Sequence, residues 1–143
     1  MSEPMLPRLG LLASSFDPIH AGTVWAMQQA IEAGVCDGII AALHINPSIE
    51  RPRKPRPVLT VEERTVLLRA LRYVVTVEPY MTERELLAML QRLNPCVRIQ
   101  GDDYKGKRFT GDNLGIPVFY AARRPKWSAT AFRRRMVEGW KNV

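Results

Sequence analysis

Short apolar segments alternate along this chain with longer segments whose apolar residues recur every three or four positions. The short segments are continuously apolar, which is typical of strands buried on both faces, whereas the longer ones have the spacing of amphipathic helices. The predicted strands are 8–13, 38–45, 73–77, 96–100 and 116–121. The predicted helices are 22–33, one that begins at 60, one over 82–93, and one that begins at 128 and ends near 140.

Two of the predicted helices begin with a recognisable capping sequence. The sequence TVEE begins at Thr60, and TERE begins at Thr82. In such a capping box, the Thr and Glu side chains satisfy backbone N–H groups that the first helical turn leaves free. Gly34 and the pair Asn94-Pro95 are stop signals for the helices that precede them.

The order of these elements predicts the fold class. Strands that are continuously apolar and that alternate with helices of about ten or more residues are typical of a parallel sheet covered on both faces. A length of 143 residues is that of one domain, and we find no repeat and no low-complexity tail. The sequence therefore predicts a single α/β domain over residues 1–143, with a five-stranded parallel sheet and helices on both faces.

Four unusual loops each follow a predicted strand. They read SSFDPIHAG, NPSIERPRKPRP, GDDYKGKRF and ARRPKWS in chain order. In open parallel sheets, ligands bind at the carboxyl ends of the strands, beside the point where the strand order reverses. We therefore expect all four loops to meet at one edge of the sheet and to form the functional site there.

The chain has a formal net charge of +7, and its cations are concentrated in three short stretches. These stretches are RPRKPR at 51–56, RRPK at 123–126 and RRR at 133–135. Basic stretches of this kind predict anionic partners, either phosphates on a small molecule or a nucleic acid. Aromatic residues are not interleaved with them as they are in single-strand binding surfaces, so we do not expect a nucleic acid.

Membrane insertion and secretion are not expected. The sequence has no apolar run of 18 residues and no charged-then-apolar leader. The two cysteines, Cys36 and Cys96, are far apart and do not have the spacing of metal ligands. We expect both to stay reduced in a cytoplasmic protein.

The first of the four loops and the residue that follows it, Ser14 to Thr23, read SSFDPIHAGT. We expect a helix to begin near Gly22, where the missing side chain lets a ligand approach the backbone. The free N–H groups and the positive end of the helix dipole would form an anion site, and His20 could donate to a phosphate oxygen there. A histidine that only caps its own helix is an alternative, and Asp17-Pro18 is common in turns without a ligand.

Four motifs resemble those of the cytidylyltransferase-like nucleotidyltransferases. FDPIHAGT resembles the family's (T/S)FDxxHxGH motif, and GDDYKGK at 101–107 resembles a loop of the glycerol-3-phosphate cytidylyltransferases and their relatives. RPVLTVEERTVLLRALRYV resembles the central helix, and WSATAFR resembles the ISxTxxR motif of the last helix. The motifs occur in the family's order and span 11–133. Each is modest alone, but the combination is highly specific.

This resemblance implies a Rossmann-like fold and a reaction. A nucleoside monophosphate would pass from CTP or ATP to a phosphorylated small molecule, whose phosphate attacks the α-phosphorus while pyrophosphate leaves. Such a reaction needs no protein nucleophile, so cations and N–H donors would carry the catalysis. The family usually forms dimers and uses Mg²⁺ with the triphosphate. We therefore expect Mg²⁺ as the cofactor, a homodimer, and no metal ligand that can be assigned to the protein.

The resemblance also implies roles for individual residues. The implied catalytic residues are His20, Thr23, Lys54 and Arg123. The implied nucleotide-binding residues are Ser14, Ser15, Phe16, Asp17, His20, Gly22, Gly101, Asp102, Asp103, Ser128, Thr130 and Arg133. The acceptor phosphate is assigned to Arg53, Arg56, Arg64 and Arg72.

Simpler explanations stay open for the cationic residues. The basic loop at 51–56 can be merely solvated, although its prolines stiffen it and favour a positioned group. Arg64 and Arg72 are eight positions apart and are predicted to share nearly one face of one helix. They can reach the acceptor phosphate, or they can be solvated at the surface beside Glu62 or Glu63.

Several polar residues also have structural alternatives. Asp102 and Asp103 can belong to a turn that binds nothing, and Ser128 alone is explained by a helix cap, although the cations before it are not. His44 lies inside an apolar strand, so we expect it to be a core residue with its hydrogen bonds satisfied rather than a ligand.

Three positions depart from the family's pattern. Thr23 stands where the motif has its second histidine, Ser14 stands in place of a glycine, and Val75 stands where cytidylyltransferases often have Asp. A threonine can donate to a phosphate but brings no charge, and charged hydrogen bonds contribute about 1.5–3 kcal/mol against about 0.5–1.5 for neutral ones. The loss corresponds to a rate lower by roughly 5- to 30-fold, or about 10²–10³ if that donor acts mainly on the transition state.

The sequence therefore predicts transfer of CMP from CTP to an acceptor resembling glycerol 3-phosphate, because the loop GDDYKGK is most similar to those enzymes. One alternative is an adenylyltransferase that uses ATP, which FDPIH and the SxTxxR ending favour. It would be of the nicotinamide mononucleotide type or of the heptose-phosphate type, which HAG and the region from RPV to GDDY also resemble. A second alternative is a nucleotide-binding protein with reduced or lost turnover, because of Thr23.

Overall fold

Nine regular elements alternate along the described chain, residues 6–143 of the computed structural model. The strands are β1 (Leu9–Ser14), β2 (Gly38–His44), β3 (Val74–Tyr80), β4 (Val97–Gly101) and β5 (Val118–Ala121). The helices are α1 (Ala21–Glu32), α2 (Val61–Arg69), α3 (Glu83–Leu93) and α4 (Ala129–Lys141), and one turn of 3-10 helix (Asp102–Tyr104) follows β4. The strands form one sheet in the order β3-β2-β1-β4-β5, and every pair is parallel. The predicted α/β fold is confirmed.

The strand order reverses at β1, which pairs with β2 on one side and with β4 on the other. In this register Ser14 is opposite Leu43, and Leu11 is opposite Arg98. Because the sheet is parallel, the segments that follow β1, β2, β4 and β5 all begin at the same edge. The four unusual loops of the sequence therefore meet beside the switch point, where ligands bind in sheets of this kind.

Helices cover both faces of the sheet, each over its own apolar cluster. On one face, Met27 of α1 and Leu68 of α2 pack in a cluster that includes Ile39 and Ile99. On the other face, Leu86 and Leu90 of α3 pack in a cluster that includes Leu11 and Ile40. Alternate residues of β1 and β2 thus enter opposite clusters, which explains why these strands are apolar at every position.

The helix termini follow the sequence signals closely. Thr60 caps α2 through a complete capping box, in which its Oγ1 accepts from the Glu63 N–H at 3.1 Å and Glu63 Oε1 accepts from the Thr60 N–H at 3.0 Å. Thr82 caps α3 in the same way, but the Glu85 carboxylate accepts from the N–H of Met81, one residue earlier than in a standard box. Asn94 ends α3 with a φ of 42°, a left-handed conformation that asparagine tolerates.

Two further sequence expectations concern the thiols and the membrane. Cys36 and Cys96 are both free thiols, and burial raises the pKa of each, so neither has the character of a reactive thiolate. Within residues 6–143, no helix has the length and apolar character needed to cross a membrane.

Candidate active site

A cavity of about 510 Å³, the main cavity, opens at the carboxyl edge of the sheet. Its walls come from the loops after β1, β2 and β4 and from the first turns of α3 and α4. Several of the residues assigned from the sequence line it, namely Ser14, Ser15, Asp17, Lys54, Thr130 and Arg133. The fold therefore brings side chains from the first two loops and from the start of α4 to one cavity.

Phe16 fixes the shape of the first loop. Its backbone has a φ of 49°, which is strained for a bulky residue, and its side chain is buried in the core. The Phe16 N–H donates to Ser14 Oγ at 3.3 Å, which holds the turn after β1. Phe16 was assigned to the nucleotide, but the structure places its ring in the core rather than along the main cavity.

Asp17 is a buried junction between three segments. Its two carboxylate oxygens accept from the backbone N–H groups of Val58 and Leu59, each at 2.8 Å, just before α2 begins. Arg133 of α4 donates from Nη2 to the main-chain oxygen of Asp17 and, at 3.2 Å, to its carboxylate. Asp17 lines the cavity but is only 4% exposed. Its carboxylate is therefore occupied by the protein itself, which corrects its assignment as a direct nucleotide ligand.

Arg64 is the largest fully buried side chain of the described chain, and the expectation of an exposed arginine is wrong. Its Nη1 donates to the main-chain oxygens of Ser15 at 2.9 Å and His44 at 3.0 Å, and its Nη2 donates to that of Ile45 at 2.8 Å. Both the assignment to the acceptor phosphate and the alternative of surface solvation are therefore corrected. Arg64 instead holds the ends of β1 and β2 from within the protein.

Arg72 is not on α2, because that helix ends at Arg69. It lies in the turn before β3, and its Nη2 donates to the hydroxyl of Tyr73 at 2.7 Å. The start of a strand in this parallel sheet lies at the edge opposite the main cavity. The assignment of Arg72 to the acceptor phosphate is therefore corrected. Arg64 and Arg72 do not share a face of one helix, because only Arg64 is on α2.

The basic loop presents only part of its charge to the main cavity. Lys54 and Arg51 line the cavity, whereas Arg53 and Arg56 are exposed and do not. Arg51 also reaches across the cavity, with its Nη2 at 3.3 Å from Oε1 of Glu83 in α3. Of the three cations assigned from this loop, only Lys54 lines the main cavity, and Arg51, which also lines it, was not singled out from the sequence.

His20 is the N-cap residue of α1 and does not line the main cavity. Its Nδ1 accepts from the Gly22 N–H at 3.1 Å, so His20 does cap its own helix, as the structural alternative proposed. The cap uses only one of the two ring nitrogens. A second cavity of about 380 Å³ is lined by His20, Lys126 and Ser128, among others. Burial, and then the charge of Arg123, lower the pKa of His20. The neutral ring, with its acceptor nitrogen already used, carries its proton on Nε2 and can donate to a ligand.

The segment 122–128 lies directly against the start of α1. A Cβ atom added to Gly22 would be 2.1 Å from the main-chain oxygen of Trp127, so only glycine fits at this position. Arg124 holds the segment between two aromatic rings, with its guanidinium carbon 4.6 Å from the Trp25 centroid and 4.3 Å from the Trp127 centroid. Thr23, on the same turn of α1, lines neither cavity.

Two residues with different assignments form an ion pair at the loop after β4. Arg123 Nη1 is 2.9 Å from Oδ2 of Asp103, and both side chains are about half exposed. A Cβ atom on Gly101 would be 2.5 Å from Asp103 and 3.0 Å from Arg123, so the glycine makes room for this pair. Asp102 is exposed in the same 3-10 turn. None of these four residues lines the main cavity.

Ser128 caps the N-terminus of α4. Its Oγ accepts from the Ala131 N–H at 3.1 Å, as the capping pattern predicts. Thr130 and Arg133 follow within this helix and line the main cavity. Because the first turn of a helix presents free N–H groups and a positive dipole end, this wall of the cavity is suited to an anion.

Sequence reasoning missed two polar residues along the main cavity, one on β2 and one on β4. His44 is buried, but its Nε2 has no hydrogen-bond partner in the described chain, so the expectation of a satisfied core histidine is wrong. Its ring stacks on Tyr80, with centroids 4.6 Å apart and planes 21° from parallel. Arg98 is also buried and lines the same cavity. The available signal was a polar residue inside an apolar strand, in AALHI and CVRIQ.

Comparison with known proteins agrees with this fold. Residues 11–135 match the family model described as cytidylyltransferase-like, so the chain belongs to the cytidylyltransferase-like family. The resemblance seen in the four motifs is thereby confirmed.

Its curated relatives include bifunctional HldE proteins. That of Gluconacetobacter diazotrophicus is 34% identical over 108 residues, which are 75% of this chain and 22% of that protein. That of Rhodopseudomonas palustris is 30% identical over 137 residues, which are 92% of this chain and 27% of that protein. The chain thus spans about a quarter of the length of these relatives.

Among solved structures, the lipopolysaccharide core biosynthesis protein from Thermoplasma volcanium GSS1 has the same fold. The two superpose with a TM-score of 0.62 at 16% sequence identity, over 82% of this chain and 97% of that one. This likeness concerns the fold alone.

Proposed function

We propose that this protein transfers AMP from ATP to a sugar phosphate and releases pyrophosphate. The observation that carries the proposal is the main cavity, where the loop after β1, Lys54 of the basic loop, and Thr130 and Arg133 of α4 face a common space. The choice of ATP and a sugar phosphate is supported by the HldE relatives, since heptose-phosphate adenylyltransferases are among the enzymes that the sequence resembles. The name of the structural neighbour, which refers to lipopolysaccharide core synthesis, points the same way.

A second candidate is transfer of CMP from CTP to an acceptor resembling glycerol 3-phosphate. The loop GDDYKGK at 101–107 favours it, because these residues resemble a loop of the glycerol-3-phosphate cytidylyltransferases. The two candidates share the reaction and differ in the base and the acceptor.

In either case, an oxygen of the acceptor phosphate attacks the α-phosphorus of the nucleotide. The bond from the α-phosphorus to the bridging oxygen breaks, and pyrophosphate leaves with the electron pair. Two anions must be brought together, so catalysis depends on positioned cations and donors. Lys54 would neutralise charge on the reacting phosphates, His20 would donate from Nε2, and the N-terminus of α4 would bind the departing pyrophosphate.

The proposed reaction can use Mg²⁺ without a set of protein side chains that surrounds the ion. Within residues 6–143, no group of three or more His, Cys, Asp or Glu side chains could hold a metal ion. Mg²⁺ usually keeps several water ligands and binds phosphate oxygens with one or two carboxylates at most. The ion would therefore be held mainly by the triphosphate, where it neutralises charge.

Reduced turnover is a third possibility within the same site. Thr23 brings no charge to the α1 N-terminus, and the Trp127 carbonyl packs against Gly22 where a ligand would approach the backbone. A protein that binds nucleotide but turns it over slowly would have these features.

The test is pyrophosphate release with Mg²⁺, ATP or CTP, and a panel of phosphorylated acceptors. Lys54→Met should lower kcat/KM by about 10²-fold or more, because a charge at the reacting phosphates is lost. Arg53→Met is the matched control, since Arg53 is on the same loop but outside the cavity, and it should change kcat/KM by less than about 5-fold.

The variant Thr23→His distinguishes an active nucleotidyltransferase from a protein that only binds nucleotide. If wild type releases no pyrophosphate and this variant does, the site is otherwise intact and lacks one hydrogen-bond donor. If both are silent while ATP or CTP still binds, the nucleotidyltransferase proposal is overturned and a binding protein is favoured.

The family resemblance also leads us to propose a homodimer in the cytoplasm. Sedimentation velocity of the full chain tests the oligomeric state, and a monomer at micromolar concentration would contradict it.

A further inference from the structure

Glu83 is an acid in a cavity whose charged residues are mostly cations. The cations that line the main cavity are Arg51, Lys54, Arg98, Arg108 and Arg133. The acids that line it in the described chain are Asp17 and Glu83. Asp17 is buried and accepts from two backbone N–H groups, whereas the Glu83 side chain is 29% exposed. Glu83 is therefore the accessible acid among the described residues of the main cavity.

Glu50 and Arg51, where the basic loop begins, both contact Glu83. Glu83 is the first residue of α3, and its N–H donates to Oε1 of Glu50 at 2.8 Å. Its own carboxylate accepts through Oε1 from Nη2 of Arg51 at 3.3 Å. The backbone and the side chain of Glu83 thus hold two successive residues of the loop after β2 against the start of α3.

Arg51 in turn belongs to the backbone turn that carries Lys54. The Arg51 N–H donates to the main-chain oxygen of Pro47 at 3.0 Å, and the main-chain oxygen of Arg51 accepts from the Lys54 N–H at 2.9 Å. The next hydrogen bonds that hold this segment are those from the N–H groups of 58 and 59 to Asp17. Two carboxylates therefore hold the ends of the segment that carries Lys54, Glu83 at the start and Asp17 at the end.

Glu83 also contacts the loop after β4. Its Oε2 accepts from the hydroxyl of Thr110 at 2.8 Å. The main-chain oxygen of Thr110 accepts from Nη1 of Arg98 at 2.6 Å, and Arg98 is buried in β4. The carboxylate of Glu83 thus connects the basic loop to a second loop that is anchored on the sheet. Both of its oxygens are used by the protein, which is the arrangement of a group that holds other groups in place.

The charge of the basic loop does not by itself favour a position at the main cavity. Residues 51–56 contain four cations, and further cations of the cavity wall come from β4, its loop and α4. Like charges repel, so without an acid the loop gains by moving away from the wall into solvent. An ion pair as exposed as that of Arg51 and Glu83 contributes little to global stability, but it favours one position of an exposed loop over others.

We propose that Glu83 is a positioning residue: it holds Arg51, and through the turn that begins at Arg51 it keeps the amine of Lys54 at the main cavity. The inference rests on the proposed function, because Lys54 is the cation assigned there to the reacting phosphates. A carboxylate next to two phosphates would repel them, so Glu83 contributes through Lys54 and not by contact with the substrates.

The sequence of the basic loop supplies a direct probe of its position. Trypsin does not cleave before proline, and three of the four cations in RPRKPR at 51–56 are followed by a proline. The bond from Arg53 to Lys54 is therefore the one tryptic bond within this loop. Glu83→Gln should raise the initial rate of cleavage at this bond by about fivefold or more, because the released loop opens more often. Mass spectrometry of the fragments 1–53 and 54–143 measures the rate.

Two further variants assign the change in cleavage to the ion pair. Glu62→Gln is the matched control, because Glu62 is also an acid in the first turn of a helix, but it is exposed and lines neither cavity. It should leave the cleavage rate unchanged. Arg51→Met should raise the rate as Glu83→Gln does, since it removes the same ion pair. Equal cleavage of wild type and Glu83→Gln, or faster cleavage that a lower urea unfolding midpoint fully explains, would overturn the inference.

The kinetics of pyrophosphate release test the link to Lys54. Glu83→Gln should lower kcat/KM by about tenfold, because a misplaced group loses much of its effect. In the background of Lys54→Met, the same substitution should change kcat/KM by less than about twofold, since no amine is left to position. A double variant whose loss is the product of the two single losses would contradict the inference.

Proteolysis needs neither nucleotide nor acceptor, so it separates this inference from the proposed function. A chain that releases no pyrophosphate, but whose basic loop is cleaved faster in Glu83→Gln, would reject nucleotidyl transfer and still support the placement of the loop by Glu83. A chain that releases pyrophosphate, but whose loop is cleaved equally in both forms, would support nucleotidyl transfer and reject the role of Glu83.

Discussion

Arg133 and Asp17 are 116 positions apart, yet Nη2 of Arg133 donates to both the main-chain oxygen and the carboxylate of Asp17. The same carboxylate accepts from two backbone N–H groups just before α2. One buried aspartate thus joins the first motif, the start of the central helix and the last motif. This arrangement gives the Asp of the FDPIH sequence a structural role: it holds the walls of the main cavity in place.

Asp17→Asn should lower the free energy of unfolding by about 1–3 kcal/mol, because an amide cannot accept at both positions and loses its charge toward Arg133. Urea denaturation measures this change. Asp103→Asn is the control, since its ion pair is half exposed, and it should cost less than about 1 kcal/mol. Equal effects of the two substitutions would contradict the role assigned to Asp17.

Arg64→Lys should destabilise the protein by about 3 kcal/mol, because a lysine cannot serve the carbonyls of Ser15, His44 and Ile45 together. Arg69→Lys, at the exposed end of the same helix, should leave the unfolding midpoint nearly unchanged. A variant of Arg64 that kept full stability but lost affinity for acceptor phosphate would restore the role that the sequence suggested.

Gly22→Ala should displace the segment 122–128, because the added Cβ would be 2.1 Å from the Trp127 oxygen. Overpacking of this kind costs about 1–3 kcal/mol, and near-ultraviolet circular dichroism should report the altered Trp25–Trp127 contact. Gly139→Ala is the matched substitution, since a Cβ there meets nothing within 4 Å in α4, and it should stabilise by about 0.5–1 kcal/mol. An unchanged spectrum for Gly22→Ala would show that the segment is not packed there in solution.

Stability should fall as the pH is lowered through about 6.5, the ordinary pKa of histidine. His20 and His44 both have pKa values lowered by burial, so the unfolded chain binds protons there that the folded chain does not. Their contribution is complete above pH 6.5, is lost as the pH falls toward the folded pKa values, and levels off below them. Because the chain has only these two histidines, the double variant His20→Asn/His44→Asn should be flat between pH 7.5 and 5.5. The same slope in the double variant would refute this explanation.

The sequence predicted the sheet and its edge well, because those features depend on local patterns. Continuous apolar runs identified the strands, and Thr60 and Thr82 marked helix starts that the structure reproduces. The end of α2 was missed, since Leu71 continues the apolar spacing although the helix stops at Arg69. Spacing alone does not show where packing against β3 ends a helix.

The site was predicted less completely, because the partners of its charged residues are distant in sequence. Nothing near Arg64 indicates that three carbonyls from the ends of β1 and β2 surround its guanidinium. Likewise, His44 and Arg98 lie in apolar strands, and only the assembled sheet shows that they line the main cavity. Motif resemblance found the loops, whereas burial decided which side chains in them face a ligand.

The central claim is nucleotidyl transfer, and mass spectrometry of the reaction product tests it most directly. Wild-type protein would be incubated with Mg²⁺, ATP or CTP, and a sugar 1-phosphate or glycerol 3-phosphate. We predict a product whose mass is that of the acceptor plus the nucleoside monophosphate less one water. It should form only when protein, nucleotide and acceptor are all present. We expect ATP and a sugar phosphate to be the pair of substrates that gives it. Bound nucleotide with no such product from any acceptor, in wild type and in Thr23→His alike, would contradict the claim.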